Sequence, residues 1–256
     1  MPFLEYSSKY WGAHEKREHS TQLISLALQL LQEYDGHIPT QLIFGSGEYS
    51  QLDEVATWYP FSGLHCASFF GIVDIVAALT KMGCCDTNGQ DLLAHTPLVW
   101  ASKKGHEEVV KMLLGREEVN LDKPDNGGRT PLSYAFMGGR VGIVKILLGR
   151  KEVNPDRSNN TGRTPLSYAA SRGDKACVMI LLGQGEVNPD KPDNKGRTPL
   201  SYAAGEGYSV VEVLLGREEV SPDRPDHEGR TPLSYAAGEG CWGVVEMLLR
   251  RKEVNP

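Results

Sequence analysis

Cysteine is scarce in this 256-residue chain, with five residues at Cys66, Cys84, Cys85, Cys177 and Cys241. The number is odd and no pair has C-x-x-C spacing. A disulfide framework is therefore not expected, and an intracellular, most simply cytoplasmic, location is. Long apolar runs are missing as well. No stretch approaches the ~18 residues that a membrane span requires, and the opening MPFLEYSSKYWGAHEKREHS has no apolar signal core. Neither insertion into a membrane nor secretion is expected. Basic charge is in deficit, with 27 Lys and Arg against 33 Asp and Glu and a formal net charge of −6. That balance argues against a nucleic-acid partner, whose binder would be strongly basic. At 40% hydrophobic and 23% charged residues the chain is nevertheless unlike a disordered one, and its length allows one or two compact domains.

Catalytic signatures are lacking too. No G-x-x-x-x-G-K-[ST] loop and no G-x-S-x-G elbow occurs, and the seven histidines pair with no candidate nucleophile. Gly238-Glu239-Gly240-Cys241-Trp242-Gly243 matches G-x-G-x-x-G, but a dinucleotide site needs that turn after a buried strand. Here it follows the helix-forming Ser234-Tyr235-Ala236-Ala237. His14 and His19 stand at i and i+5, roughly 140° apart on a helix, and so cannot share a zinc as an i, i+4 pair would. Cys84 and Cys85 are adjacent with no histidine pair at metal spacing; Cys66, Cys177 and Cys241 read as small apolar fillers. Asn159-Asn160-Thr161 is a glycosylation acceptor in text alone. No catalytic residue, metal site or cofactor is expected.

What the chain has in abundance is repetition. Gly-Arg-Thr-Pro-Leu-Ser-Tyr-Ala occurs four times, beginning at Gly128, Gly162, Gly196 and Gly229. The Thr-Pro-Leu threonines Thr96, Thr130, Thr164, Thr198 and Thr231 follow at intervals of 34, 34, 34 and 33. A degenerate copy, Ser62-Gly63-Leu64-His65-Cys66-Ala67, precedes them. The expectation is six units, near 57–90, 91–124, 125–158, 159–192, 193–225 and 226–256.

In each unit the threonine can cap a helix, because its hydroxyl accepts from an unpaired N–H of the first turn. The proline follows at the first helical position, where its missing N–H costs nothing. In the third unit that helix runs through Leu132 and Ala135 to Gly138-Gly139. A second carries Ile143, Val144, Ile146, Leu147 and Leu148 and stops at Gly149. Neither is long enough to be stable alone, so neighbouring units must cover the apolar faces. That is the logic of a solenoid.

These residues resemble the ankyrin repeat: Asp125-x-x-Gly128-x-Thr130-Pro131-Leu132-x-x-Ala135, then Gly139 and Val144 to Leu148. The resemblance implies an all-α ankyrin-repeat solenoid whose units are helix-turn-helix pairs with β-turn fingers. Two departures stand out. Val119-Asn120 lies six residues before Asp125, where the family usually has four, which predicts longer fingers. The fifth unit lacks one residue between Gly207 and Val210, which predicts a second helix that starts late or kinks.

Residues 1–56 do not repeat. The apolar pattern of Ser20–Glu33 predicts a helix, and the whole segment reads as an N-terminal helical cap or linker. The last helix, with Val244, Val245, Met247, Leu248 and Leu249, lacks the polar outer face of a terminal unit. Phe3-Leu4-Glu5-Tyr6, Tyr10-Trp11 and Phe61-x-Gly63-Leu64-His65 are similar to the segment between the NTPase region and the ankyrin array of fungal NACHT–ankyrin proteins. That similarity implies the ligand-sensing part of a signalling ATPase, although no triphosphate-binding loop is present.

Ankyrin-like arrays bind partners with finger tips and the exposed part of the first helix. Carried over by position, the candidates are Trp58, Tyr59, Phe61, Phe69, Phe70 and His95, then Lys103, Lys104, Arg129, Met137, Arg163 and Arg172, then Lys195, Arg197, Glu206, His227 and Arg230. Arg129, Arg163, Arg197 and Arg230 recur once per unit and suit a protein partner with an acidic strip. Asp125, Asp193 and Asp226 stand four residues before three of them, which leaves a charge-balanced surface ladder as the plainer reading. The aromatic set from Trp58 to Phe70 reads either as an anchor or as packing beneath the cap. Tyr134, Tyr168, Tyr202 and Tyr235 are expected to pack between units.

The reading is thus a non-catalytic protein-binding module, monomeric in isolation and without nucleic-acid, membrane or cofactor partners. Two alternatives remain open at this point, an enzyme or biosynthetic helper with a pocket formed by residues 1–60, and a structural spacer.

Overall fold

The computed structural model describes residues 61–83, 85–206 and 208–254. The expected cap over 1–56, its helix at 20–33, and the candidates Trp58 and Tyr59 lie outside the described residues. The chain divides into two compact units, residues 1–126 and 127–256. Among the described residues the regular structure is entirely helical.

The first unit contains α1 (Gly63–Phe70), α2 (Val73–Met82), α3 (Pro97–Lys104) and α4 (Glu107–Leu114). Within it α1 packs on α2 and α3, and α4 packs on α2 and α3. The second unit contains α5 (Pro131–Met137), α6 (Val141–Leu148), α7 (Pro165–Ala170), α8 (Lys175–Leu182), α9 (Pro199–Ala204), α10 (Tyr208–Leu215), α11 (Pro232–Gly238) and α12 (Trp242–Leu249). Its first helices α5, α7, α9 and α11 stack in sequence, and its second helices α6, α8, α10 and α12 stack behind them. This is the repeat-solenoid fold class expected from the sequence.

The local causes are visible at each start. Thr96, Thr130, Thr164, Thr198 and Thr231 all cap, each hydroxyl accepting from the N–H three residues on at 3.1–3.3 Å, with proline at the next position. Ser62 plays that part in the degenerate copy, where its hydroxyl accepts from the His65 amide. Among the second helices whose N-cap is described, Asp174 alone caps with its side chain, accepting from the Cys177 amide at 3.1 Å. Burial holds them instead, through Val109, Val110 and Leu113 in α4 and Ile143, Val144 and Leu147 in α6, all 0% exposed.

The shortened fifth unit differs from expectation. Helix α10 spans Tyr208–Leu215, eight residues like α6, α8 and α12, and it does not start late. The α7–α8 connection is 171–174 and the α9–α10 connection is 205–207, so the missing residue comes out of the turn. An apolar helix face must keep its register to stay covered, whereas an exposed turn can lose a residue without uncovering anything.

Candidate functional site

The polar chemistry of the second unit is concentrated where each finger meets the first helix. At the finger opening with Asp193, carboxylate Oδ1 accepts from the backbone N–H groups of Lys195 and Arg197, both at 2.9 Å. Asp193 N–H donates in turn to the Arg197 carbonyl at 2.9 Å, which closes the loop. Oδ2 then receives Nε and Nη2 of Arg197 at 3.1 and 2.9 Å and the Tyr202 hydroxyl at 2.7 Å. Aspartate, arginine four residues on and tyrosine nine residues on thus form a closed clasp.

Asp226, Arg230 and Tyr235 repeat it, with guanidinium contacts of 3.2 and 3.1 Å and a hydroxyl contact of 2.6 Å. Burial alone would raise both carboxyls. The tyrosine hydroxyls, the two backbone amides and the guanidinium groups outweigh it and hold Asp193 and Asp226 below the usual range. Burial and the hydrogen bond to Asp226 push Tyr235 up to about 12. At Tyr202 and Tyr235 the hydroxyl of this tyrosine series reaches a carboxylate.

The same register holds a variant in the first unit. Asp91 Oδ1 accepts from the Leu93 and His95 amides at 2.9 and 2.8 Å, and Oδ2 accepts from Trp100 Nε1 at 2.9 Å. Trp100 thus stands at the tyrosine position and His95 at the arginine position. His95 is 1% exposed, with Nδ1 3.4 Å from Asp91 and Nε2 3.6 Å from Asp125. Phe61 is also 1% exposed, tilted against His65 and edge-on to Trp100. Both stand among the finger candidates, and both are core residues; for Phe61 the outcome is packing rather than an exposed anchor. A short finger loop cannot keep a phenylalanine or an imidazole in water when α1 and α3 leave an aromatic niche beneath it.

Two groups that the sequence kept apart come together here. Phe69 and Phe70 meet edge-on at 4.8 Å between ring centroids and remain partly exposed. Lys104 Nζ lies 4.2 Å above the Phe69 ring, and Lys103 Nζ lies 4.9 Å above Trp100. Phe69, Phe70, Lys103 and Lys104 form one mixed patch around Trp100, held by cation–π attraction.

In the second unit every finger arginine lies over the tyrosine of its own repeat, Arg129 at 5.0 Å, Arg163 at 4.4 Å, Arg197 at 4.8 Å and Arg230 at 5.0 Å. Arg163 also lies 4.2 Å over Tyr202 of the next repeat. Arg172 is exposed and donates to the Met137 carbonyl at 3.0 Å; Met137 is half-buried. Lys195, Glu206 and His227 are exposed.

The charge-balanced reading of the ladder holds at Asp193 with Arg197 and at Asp226 with Arg230; what the sequence reading missed is Tyr202 and Tyr235 as further partners of those carboxylates. The signal was present as Asp, Arg at i+4 and Tyr at i+9, recurring in register. The G-x-G-x-x-G match spans the turn from the end of α11 into the start of α12, with Gly240 at φ 71, and a helix rather than a strand precedes it. Among the described residues no group of three His, Cys, Asp or Glu side chains could hold a metal ion, and no helix is long and apolar enough to cross a membrane.

The family model described as ankyrin repeats (three copies) matches residues 64–159 and 150–226, and the single ankyrin-repeat model matches 228–256. No curated protein matches the sequence. Among solved structures, a chain of the Bd0816 predatory endopeptidase from Bdellovibrio bacteriovorus in complex with immunity protein Bd3460 is similar. It is 25% identical with a TM-score of 0.67, over 74% of this chain and 97% of that one.

Proposed function

This chain belongs to the ankyrin-repeat family, and from that premise we propose that it is a non-catalytic protein-binding module. The observation that carries the reading is the row of arginines and tyrosines locked at the finger bases. Arg197 and Arg230 are held by two hydrogen bonds each and by a ring, so they need little ordering when a partner arrives. Arginine, tyrosine and tryptophan are also the residue types enriched among interface hot spots. The similar solved chain comes from a complex between an endopeptidase and an immunity protein, which fits a recognition role for this architecture.

The finer reading is a ligand-sensing or scaffold element of a cytoplasmic signalling protein. Residues 1–56 would serve as its cap and a NACHT-type ATPase would be its context, as the N-terminal residues suggest. The partner presents an acidic strip to the basic finger positions, and the isolated array is a monomer.

The test is capture from an extract of the source cells followed by reconstitution from purified components. The comparison is a variant carrying Phe70→Ala, Lys104→Glu, Arg129→Glu and Lys195→Glu, which leaves the clasps at Asp193 and Asp226 intact. A saturable complex that the variant loses, with its melting temperature unchanged, is expected. Equal binding by the variant would move the interface elsewhere, and no complex at all would leave a structural spacer.

A further inference from the structure

One finger of the second unit is built differently. Asn159 stands where Asp193 and Asp226 stand, and its Oδ1 does the same structural work, accepting from the Thr161 and Arg163 amides at 2.9 Å each. The other side-chain atom differs. An amide Nδ2 donates, and here it donates to the Tyr168 hydroxyl at 2.8 Å. It can accept nothing from a guanidinium. Arg163 accordingly makes no bond to Asn159 through its side chain. Its Nη2 turns to the Ser171 hydroxyl at 2.9 Å, with a long contact to the Ser167 carbonyl at 3.5 Å. The positions equivalent to Ser171 in the next two repeats are Gly205 and Gly238, where no hydroxyl exists and none is needed.

The electrostatic consequence is local. In the clasps one carboxylate cancels one guanidinium. Among the described residues no carboxylate pairs with Arg163, and its Nε is buried without an acceptor. Arg172, next to Ser171, is a second cation and is exposed. The Arg163 guanidinium carbon lies over two rings, 4.4 Å from the centroid of Tyr168 and 4.2 Å from that of Tyr202. Two rings at that distance hold the guanidinium in place, and its N–H groups are the donors that match a carboxylate.

We infer that the fourth repeat is the acid-reading position of this surface: Arg163, lying over the rings of Tyr168 and Tyr202, receives an aspartate or glutamate side chain from an acidic segment of the partner protein. The partner's carboxylate supplies the negative charge that Asn159 withholds. Arg172 attracts the same segment, and Arg197 and Arg230 contribute less because their charge is already answered within the chain. This inference rests on the protein-binding reading and narrows an evenly basic ladder to one open position.

The decisive variant restores the missing charge from within. Asn159→Asp would keep both backbone contacts of Oδ1 and offer Oδ2 to Arg163 and Tyr168, as Asp193 offers it to Arg197 and Tyr202. The probe is an oligoglutamate peptide, titrated calorimetrically against the full chain, with oligoglutamine as the neutral control. Asn159→Asp should weaken oligoglutamate binding by roughly tenfold, the usual worth of one charge-assisted contact, while the melting temperature holds or rises. Arg163→Gln should weaken it similarly, and Arg163→Lys should recover part of the loss. Because the affinity falls while the melting temperature does not, a merely structural role for Asn159 cannot reproduce the result.

Unchanged affinity in Asn159→Asp would overturn the inference. If no variant binds the peptide while the reconstituted partner complex persists, the inference fails and the protein-binding reading stands. If neither peptide nor partner binds, both fail.

Discussion

Gly162 and Asn194 approach so closely that a Cβ on Gly162 would lie 2.5 Å from Asn194 Oδ1 and 2.6 Å from its backbone nitrogen. The contact arises because the Asn194 amide donates to the Thr161 carbonyl at 3.0 Å, tying one finger to the next. Gly162 also has φ +81, which side chains rarely adopt. At Gly229, with φ +78, an added Cβ would meet nothing within 4 Å. Gly162→Ala should therefore cost about 2–4 kcal/mol, from backbone strain plus the clash, and Gly229→Ala about 1–2 kcal/mol from strain alone. Chemical denaturation of the two variants measures the difference. Equal losses would mean that the fingers separate without consequence.

Acid should unfold the second unit through its clasps. Asp193 and Asp226 are held below the usual carboxylate range in the folded chain, so the unfolded chain takes up their protons first. Their contribution is complete above the ordinary carboxyl pKa and is lost as pH falls through the folded values. The part of the melting temperature that comes from the clasps should be flat from neutral pH to about pH 5 and fall below it. Tyr235→Phe removes the donor at 2.6 Å from Asp226, and its carboxyl titration, followed by NMR, should move upward. A midpoint unchanged by that substitution would deny the hydroxyl its part.

In the first unit His65 adds a proton-linked loss of its own. Burial lowers its pKa below 6.5, and the Asp91 charge and the Gly89 and His95 carbonyls only partly oppose this. The unfolded chain binds a proton there that the folded chain refuses, so the contribution is full above pH 6.5 and declines below it. His65 should stay neutral in a ring-proton titration down to the onset of unfolding. An ordinary midpoint would contradict its burial.

The thiols should divide by burial. Burial pushes Cys66 and Cys177 up to about 12, and their side chains are 2% and 0% exposed. Cys85 and Cys241 are only partly buried. Brief alkylation of the native protein at neutral pH, read by peptide mapping, should label Cys85 and Cys241 and spare Cys66 and Cys177. Rapid modification of Cys177 would mean that α8 opens readily.

Stability should be additive along the stack. Ending the chain after Arg224 removes the finger at Asp226 and the hairpin α11–α12, whose packing partners are α9 and α10. The shortened protein should remain folded with a lower melting temperature, since each hairpin contacts only its neighbours. Complete unfolding would contradict nearest-neighbour energetics.

The repeats, their register and the helix starts were legible in the sequence because each depends on local chemistry: a threonine hydroxyl three residues from an amide, a proline at the first helical position, an apolar face every three to four residues. The absence of cysteine pairs and apolar runs was equally local. Tertiary structure decided where partly polar side chains went. Phe61 and His95 carry the text of finger-surface residues, yet the space between α1 and α3 takes them into the core. Asn159 and Asp193 look interchangeable in sequence, since both close the finger through Oδ1. Only the placement of Arg163, Tyr168 and Ser171 around Asn159 shows that exchanging an acceptor atom for a donor redirects a guanidinium. Capping and periodicity act within a few residues and can be read along the chain. Burial and charge pairing depend on which repeats meet in space.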